Sequence, residues 1–253
     1  MAVERSYAYD ALPSTEQLAR SEEKALSVFF GKEIGVPNPP AELFQTLENL
    51  IELGISKIEP RYFPQITLRE NDSLPGWKVK PGPLFWEYIA NGNIANDSAT
   101  LKEGWYLVDG RAKPDYQDGR QMYKDDYLVP IMQELRTTGK IQKDTYLPDN
   151  SRFVASPEEI EGIILPEFAK FIKTKGQVIN MREIEFNIWG NMFHPEWGRT
   201  STTELFADKF EDVGRLNGGS SIVGGLAHVY HEPSHERGGG YGFRPLIVFS
   251  SKT

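Results

Sequence analysis

Two stretches near the N-terminus carry apolar residues at helical spacing. Ser14, after Pro13, is placed as an N-cap, Glu16 sits in the first turn, and Leu18, Ala25, Leu26, Phe29 and Phe30 form the stripe that Gly31 closes. A second helix follows Pro39-Pro40, with Leu43, Leu47, Leu50 and Ile51 as its stripe and Gly54 at its end. The two are expected to pack as a pair. Residues 55–103 lose the period: Pro60, Pro64, Pro75, Pro81 and Pro83 punctuate short strands such as the one around Ile66, and Trp77, Phe85, Trp86 and Tyr88 read as anchors of a long connection. Residues 1–12 have no period and read as a tail or a capping strand.

The pattern changes at Gly104, where six residues through Asp109 read as a strand. Asp125-Asp126 then caps a helix with Leu128, Ile131, Met132 and Leu135 on one face and Gly139 beyond it. Ser156-Pro157-Glu158-Glu159 is a helix start, with Ser at N-cap, Pro at N1 and Glu at N3. Ile160, Ile163, Ile164, Phe168 and Phe171 continue it, and Pro166 is placed to kink it. Residues 178–189 read as strand-like again. The run 242–249, rich in β-branched and aromatic residues, predicts a buried strand. Strand, helix, helix and then several strands predict an α+β fold with helices against antiparallel sheet, without the βαβ alternation of a dinucleotide-binding fold. Residues 1–100 read as a helical and Pro-rich extension packed on a main domain at 101–253.

The stretch 228–241 fits neither period. It gathers Tyr, His, Glu, Arg, Ser, Pro and three consecutive Gly, which marks a loop or ribbon dense in side chains suited to recognition. Composition narrows the chemistry. A net charge of −8 argues against non-specific nucleic-acid binding and against an anionic membrane surface. With no cysteine there are no disulfides, thiolate metal sites or thiol nucleophiles. Neither a secretory signal nor a run long enough to span a membrane is read in the sequence. Hydrophobic residues at 39% and aromatics at 12% are enough for a core.

The order of elements resembles the C-type lectin fold, and the ending Gly242-Phe243-Arg244-Pro245 looks like the one shared by formylglycine-generating enzymes and the variable proteins of diversity-generating retroelements. Arg215-Leu216, the Gly218-Gly219 turn, Gly224-Gly225-Leu226 and the Tyr/His/Ser/Gly run before it add to the resemblance. In detail the stretch is similar to archaeal-virus and nanoarchaeal variable proteins. The resemblance spans residues 100–253, with a variable region at about 212–244. It implies that adenine mutagenesis of AAY codons supplies the side chains at Val213, Gly214, Ser220, Ser221, Ile222, Val223, His228, Tyr230, His231, His235, Gly239, Gly240 and Tyr241. Glu232 and Glu236 cannot arise from AAY, so they are fixed or derive from another codon. The resemblance further implies no cofactor and no catalysis. It implies recognition of a protein or glycan on a host or neighbouring cell, from a virion or cell surface, where other surface proteins are partners. Trp197 and Phe206 would brace the variable surface from below, as would most of 187–198.

Other chemistries compete for the same residues. His228, His231 and His235 have spacings that could hold zinc, as a zinc-binding protein or metalloenzyme would, although Pro233 disfavours the helix that would converge them. Glu232-Pro233-Ser234 is similar to the Glu-Pro-Asn calcium-and-sugar motif, with Ser in place of Asn and no Trp-Asn-Asp triplet after it. The oxidase chemistry of formylglycine-generating enzymes needs cysteines and is excluded. Ser220, His228 and Asp212 could be imagined as a hydrolase triad, without the G-x-S-x-G elbow. The paired glycines lack the Lys-Ser/Thr of a phosphate loop.

Overall fold

Residues 13–145 and 147–249 are described by the structure, a computed structural model; the tail or capping strand read at 1–12 lies outside them. Helix α1 (Thr15–Phe30) starts as its sequence predicts. Ser14 accepts from the Gln17 amide, the Gln17 side chain accepts from the Ser14 amide, and Gly31 ends the helix at φ 67°. That reciprocal box satisfies two of the donors a helix start leaves orphaned. Helix α2 (Ala41–Glu52) buries Leu43, Leu47 and Leu50 but leaves Ile51 at its solvent edge. Each helix has its own tether to the body. Glu22 of α1 accepts from Arg61, and Asn49 of α2 donates to the Ile172 and Lys173 carbonyls.

The first sheet has the order β1 (Ile58–Phe63), β4 (Gly104–Asp109), β10 (Pro245–Phe249), β5 (Gln177–Asn180), with every pairing antiparallel. Strand β1 lies in the stretch expected to be irregular. Pro60 has no amide to give, which an edge strand tolerates. A segment before residue 100 therefore supplies a strand of this sheet. The same stretch holds α3 (Pro83–Ala90), a helix the reading missed, with Pro83 at its start and Phe85, Trp86 and Tyr88 buried as the predicted anchors. Short strands β2 (Ile66–Thr67) and β3 (Thr100–Leu101) pair with each other.

The second sheet has the order β8 (Val229–Pro233), β7 (Gly214–Gly218), β6 (Thr203–Phe210), β9 (Tyr241–Phe243). β9 runs parallel to β6, and the other pairs are antiparallel. The stretch 228–241 is thus partly ordered: β8 holds its first half, and the loop lies beyond Pro233.

Along the chain between β4 and β5 come α4 (Val129–Thr137), then α5 (Pro157–Glu159) and α6 (Leu165–Phe171), the last two joined by one π turn over Ile160–Ile164. Ser156 and Glu159 form the predicted capping box. Pro166 cannot close an α-helical bond to the preceding turn, and the helix widens immediately before it. Asp126 accepts from the Leu128 amide but commits its carboxylate to Arg152, so α4 begins at Val129 with no side-chain cap.

Helix α7 (Glu183–Met192) corrects the strand-like reading of 178–189, which holds only for β5. All but the last of its residues are buried, so no polar face marks it as a helix. Glu183 is 1% exposed, and neither of its carboxyl oxygens has a hydrogen-bond partner among the described residues. Burial, reinforced by Asp208, pushes its carboxyl well above the usual range. The unfolded chain releases this proton near the ordinary pKa while the folded chain keeps it, so stability falls as pH rises above that value. Glu183→Gln should therefore match the parent below about pH 4 and exceed it increasingly toward neutrality. Urea midpoints across that range check this, and a variant less stable than the parent at neutral pH would show that the carboxylate is ionised in the fold.

Candidate functional site

The chain crosses from the second sheet to the first at Arg244, between β9 and β10. The Arg244 side chain is fully buried. It donates to the Asp109 carbonyl and, at 2.7 Å, to Glu204 of β6, and it lies 4.1 Å over the Trp197 ring. Asp109, at the end of β4, pairs with Arg111 at 2.8 Å and Arg152 at 3.2 Å, and Arg152 pairs in turn with Asp126. Burial alone would push the Asp109 carboxyl up, but Arg152, Arg111 and Arg244 outweigh it and hold the group well below the usual carboxylate range. These charges, paired and hydrogen-bonded, clamp the two sheets where the Gly242-Phe243-Arg244-Pro245 segment passes between them.

Above this clamp sits an aromatic and amide layer. Trp197 stacks on His194 at 4.5 Å and on Phe186 at 5.3 Å, and Phe186 meets Phe206. His194 lies between Glu196 at 3.1 Å and Glu59 at 3.3 Å. Burial would lower its pKa, but the two carboxylates outweigh burial and raise it. Asn187 accepts from the Trp77 indole and donates to the Leu226 carbonyl, and Asn191 accepts from the Lys78 and Val79 amides. Leu226 descends onto two glycines: a Cβ at Gly190 would lie 2.6 Å from its side chain, and one at Gly198 would lie 2.7 Å from its amide. The turn at 224–227 can therefore seat only because those positions lack side chains. Lys113 is buried beneath the same loops and donates to the Thr202 and Gly219 carbonyls; burial lowers its pKa to about 8, with Glu204 opposing. Trp197 and Phe206, expected to brace the surface from below, are both buried, Trp197 preceding the glycine that meets Leu226 and Phe206 lying against Gly218.

The candidate positions fall in two groups. At the end of the second sheet where β7 leaves and β6 and β9 begin lie Ser220, Ser221, Ile222, Val223, His228, Gly239, Gly240 and Tyr241. Val213, Gly214 and His235 lie toward the opposite end, roughly 14 Å away along β7, and His231 faces Leu216 midway along it. Tyr230 stands between them on the edge strand β8. Val213, Ser221, Ile222, Val223, Tyr230 and His235 are exposed. Two positions are not surface side chains. Gly214 is buried within β7, and Ser220 is buried, donating to the Ser201 carbonyl and capping the turn that follows. His231 is half-buried in a stack, 3.8 Å from Phe210 and 5.0 Å from Tyr230, with Tyr88 at its edge. Tyr241 is partly covered and donates to Glu232 at 2.7 Å.

The geometry also sorts the competing chemistries. Among the described residues no group of three or more His, Asp or Glu is placed to hold a metal ion, so the zinc alternative is set aside. His231 is occupied by ring stacking, and His228 accepts from the Ser220 amide at 3.3 Å, its pKa lowered by burial and by Lys113. Asp212 is at the β6–β7 turn, at the far end of β7 from Ser220 and His228, so no triad forms. Among the described residues no helix is long and apolar enough to cross a membrane. No protein-family model, curated protein or solved structure matches the chain.

Sequence reasoning missed Tyr116, which is exposed beside Gly239 and Gly240 with its amide donating to Ser201. The turn residues around it mark a loop but carry no sign of which glycines that loop will meet.

Proposed function

We propose that this chain is a non-catalytic recognition protein of the diversity-generating retroelement type, presenting replaceable side chains on a C-type-lectin-like frame. What supports the reading is where apolar side chains meet solvent. Nine large apolar side chains are exposed among the described residues, and four of them, Val213, Ile222, Val223 and Tyr230, occupy candidate positions. The residues between them, Arg215, Leu216, Asn217 and Leu226, are buried. Ile222 and Val223 stand side by side on the turn after β7, and adjacent exposed apolar groups of this kind mark contact surfaces. Tyr and small residues around them are the composition of adaptable contact surfaces. Because the frame is clamped by Arg244 and braced by Trp197, side chains that touch neither can be exchanged at small cost. The ligand is a protein or glycan on another surface.

The test is a displayed library randomised at Val213, Ser221, Ile222, Val223, Tyr230 and His235. Most members should melt within about 5 °C of the parent, and the pool should yield binders to unrelated proteins. A pool that largely unfolds, or that yields no binder, ends the reading. A near-copy of the 3′ coding end beside a reverse transcriptase gene, differing mainly at adenines, is the expected genomic sign.

A further inference from the structure

A half-open cleft of about 320 Å³ lies beside the glycine triplet 238–240, made almost wholly of residues outside the candidate set. Its size is at the lower end of small-ligand sites, about 300–1,000 Å³. Tyr116 and Asp118 line it on one segment, Arg237 and Gly239 on another, and Leu147 and Val154 add apolar surface. The two segments are stapled together. Gln121, fully buried, accepts from the Gln117 and Gly119 amides and donates to the Gly239 carbonyl. The cleft also carries backbone strain: Asp118 has φ 48° and Val154 φ 58°, two of the six non-glycine residues with positive φ among those described. For a β-branched residue that conformation is unfavourable, and such residues concentrate at binding and active sites.

The side chains define what would fit. Tyr116 is 51% exposed and offers an aromatic face. The Asp118 side chain makes no hydrogen bond among the described residues, so its carboxylate is available as an acceptor. Arg237 commits its Nε to Glu159 at 3.0 Å, and its remaining donors form no other hydrogen bond there. The lining thus sets a carboxylate acceptor at Asp118 and guanidinium donors at Arg237 beside one aromatic face. A ring with one apolar face and a rim of hydroxyls that both donate and accept matches that set. We propose that this cleft binds a neutral pyranose sugar without a metal ion, with Tyr116 stacking on the ring and Asp118 and Arg237 holding its hydroxyls. The inference deepens the recognition reading and rests on it. It adds a constant sugar subsite beside the replaceable side chains.

The experiment is saturation-transfer NMR on the full chain with EDTA present, using glucose, galactose, mannose and N-acetylglucosamine as probes. At least one should bind with a Kd of about 1 mM. Tyr116→Ala and Asp118→Asn should each weaken it about tenfold or more with unchanged melting temperature, and Tyr116→Phe should keep most of it. Should Tyr116→Ala fail to fold, Asp118→Asn carries the test. Binding by none of the four sugars overturns the proposal. So does binding that survives both substitutions, appears only when EDTA is left out, or is exceeded by arginine methyl ester. Ile222→Ser with Tyr230→Ser should leave sugar binding unchanged; if the six-position library fails while sugar binding holds, the display reading alone has failed.

Discussion

Replacing Arg244 by methionine is expected to lower the unfolding free energy by about 3–5 kcal/mol, read as a fall in melting temperature of about 10 °C or more. Methionine nearly fills the volume but leaves Glu204 buried, with the Tyr123 hydroxyl at 2.6 Å as its remaining close donor, and leaves the Asp109 carbonyl without its guanidinium. An ionised carboxylate stripped of its partner in that position is the expensive event, more than the lost pair itself. Adding Glu204→Gln to the methionine variant should therefore recover about 1–3 kcal/mol. Arg244→Lys should fall between, because a single ammonium cannot serve Glu204 and the Asp109 carbonyl from one planar fork. A methionine variant within about 1 kcal/mol of the parent would mean that the clamp does not hold the sheets together. The same network makes the fold acid-sensitive. Asp109 titrates below its unfolded value, so its contribution is complete above about pH 4 and is lost as pH falls through the folded pKa.

The clamp was not legible in the sequence because its partners are distant along the chain: Arg244 reaches back 135 residues to Asp109 and 40 to Glu204. Local signals fared better wherever one residue's chemistry decides a local conformation. Ser14 and Gly31 bound α1, Ser156 and Glu159 open α5, and the β-branched run before the C-terminus is β10. Periodicity failed where burial is on all sides. In α7, Ile184, Phe186 and Ile188 alternate like a strand, and the polar residues that might have restored a helical face, Glu183, Glu185, Asn187 and Asn191, are themselves buried. Each of these is held by a partner that periodicity cannot reveal, or kept neutral, as Glu183 is by burial and Asp208.

The candidate site divides the same way. Exposure at Val213, Ile222, Val223 and Tyr230 follows from turn and edge positions that glycines and strand ends announce. The burial of Ser220 depends on Ser201, and the stacking of His231 depends on Phe210 and Tyr88. Those neighbours are brought in by tertiary structure, so an inventory of the tail alone could not separate displayed side chains from anchored ones.

Trp197→Ala is the second large effect, expected to cost about 3–5 kcal/mol. The indole is fully buried, stacked between His194 and Phe186, with the Arg244 guanidinium over its face. Alanine would open a cavity the rings cannot collapse into, since Phe186 is also held by Phe206 and His194 lies between Glu59 and Glu196. The consequence should reach the surface. Gly198 follows Trp197 and seats the Leu226 amide, so hydrogen exchange at residues 225–228 should rise well above the increase that lower global stability alone would cause. Trp197→Phe should restore most of the stability. Because Trp197 and Arg244 are in contact, Trp197→Ala with Arg244→Met should cost less than the sum of the two single changes, by about 1 kcal/mol or more. Strict additivity, or loops whose exchange does not respond to Trp197, would mean that the clamp and the displayed loops are independent. The frame would then no longer support the proposal that surface side chains are exchanged at small cost.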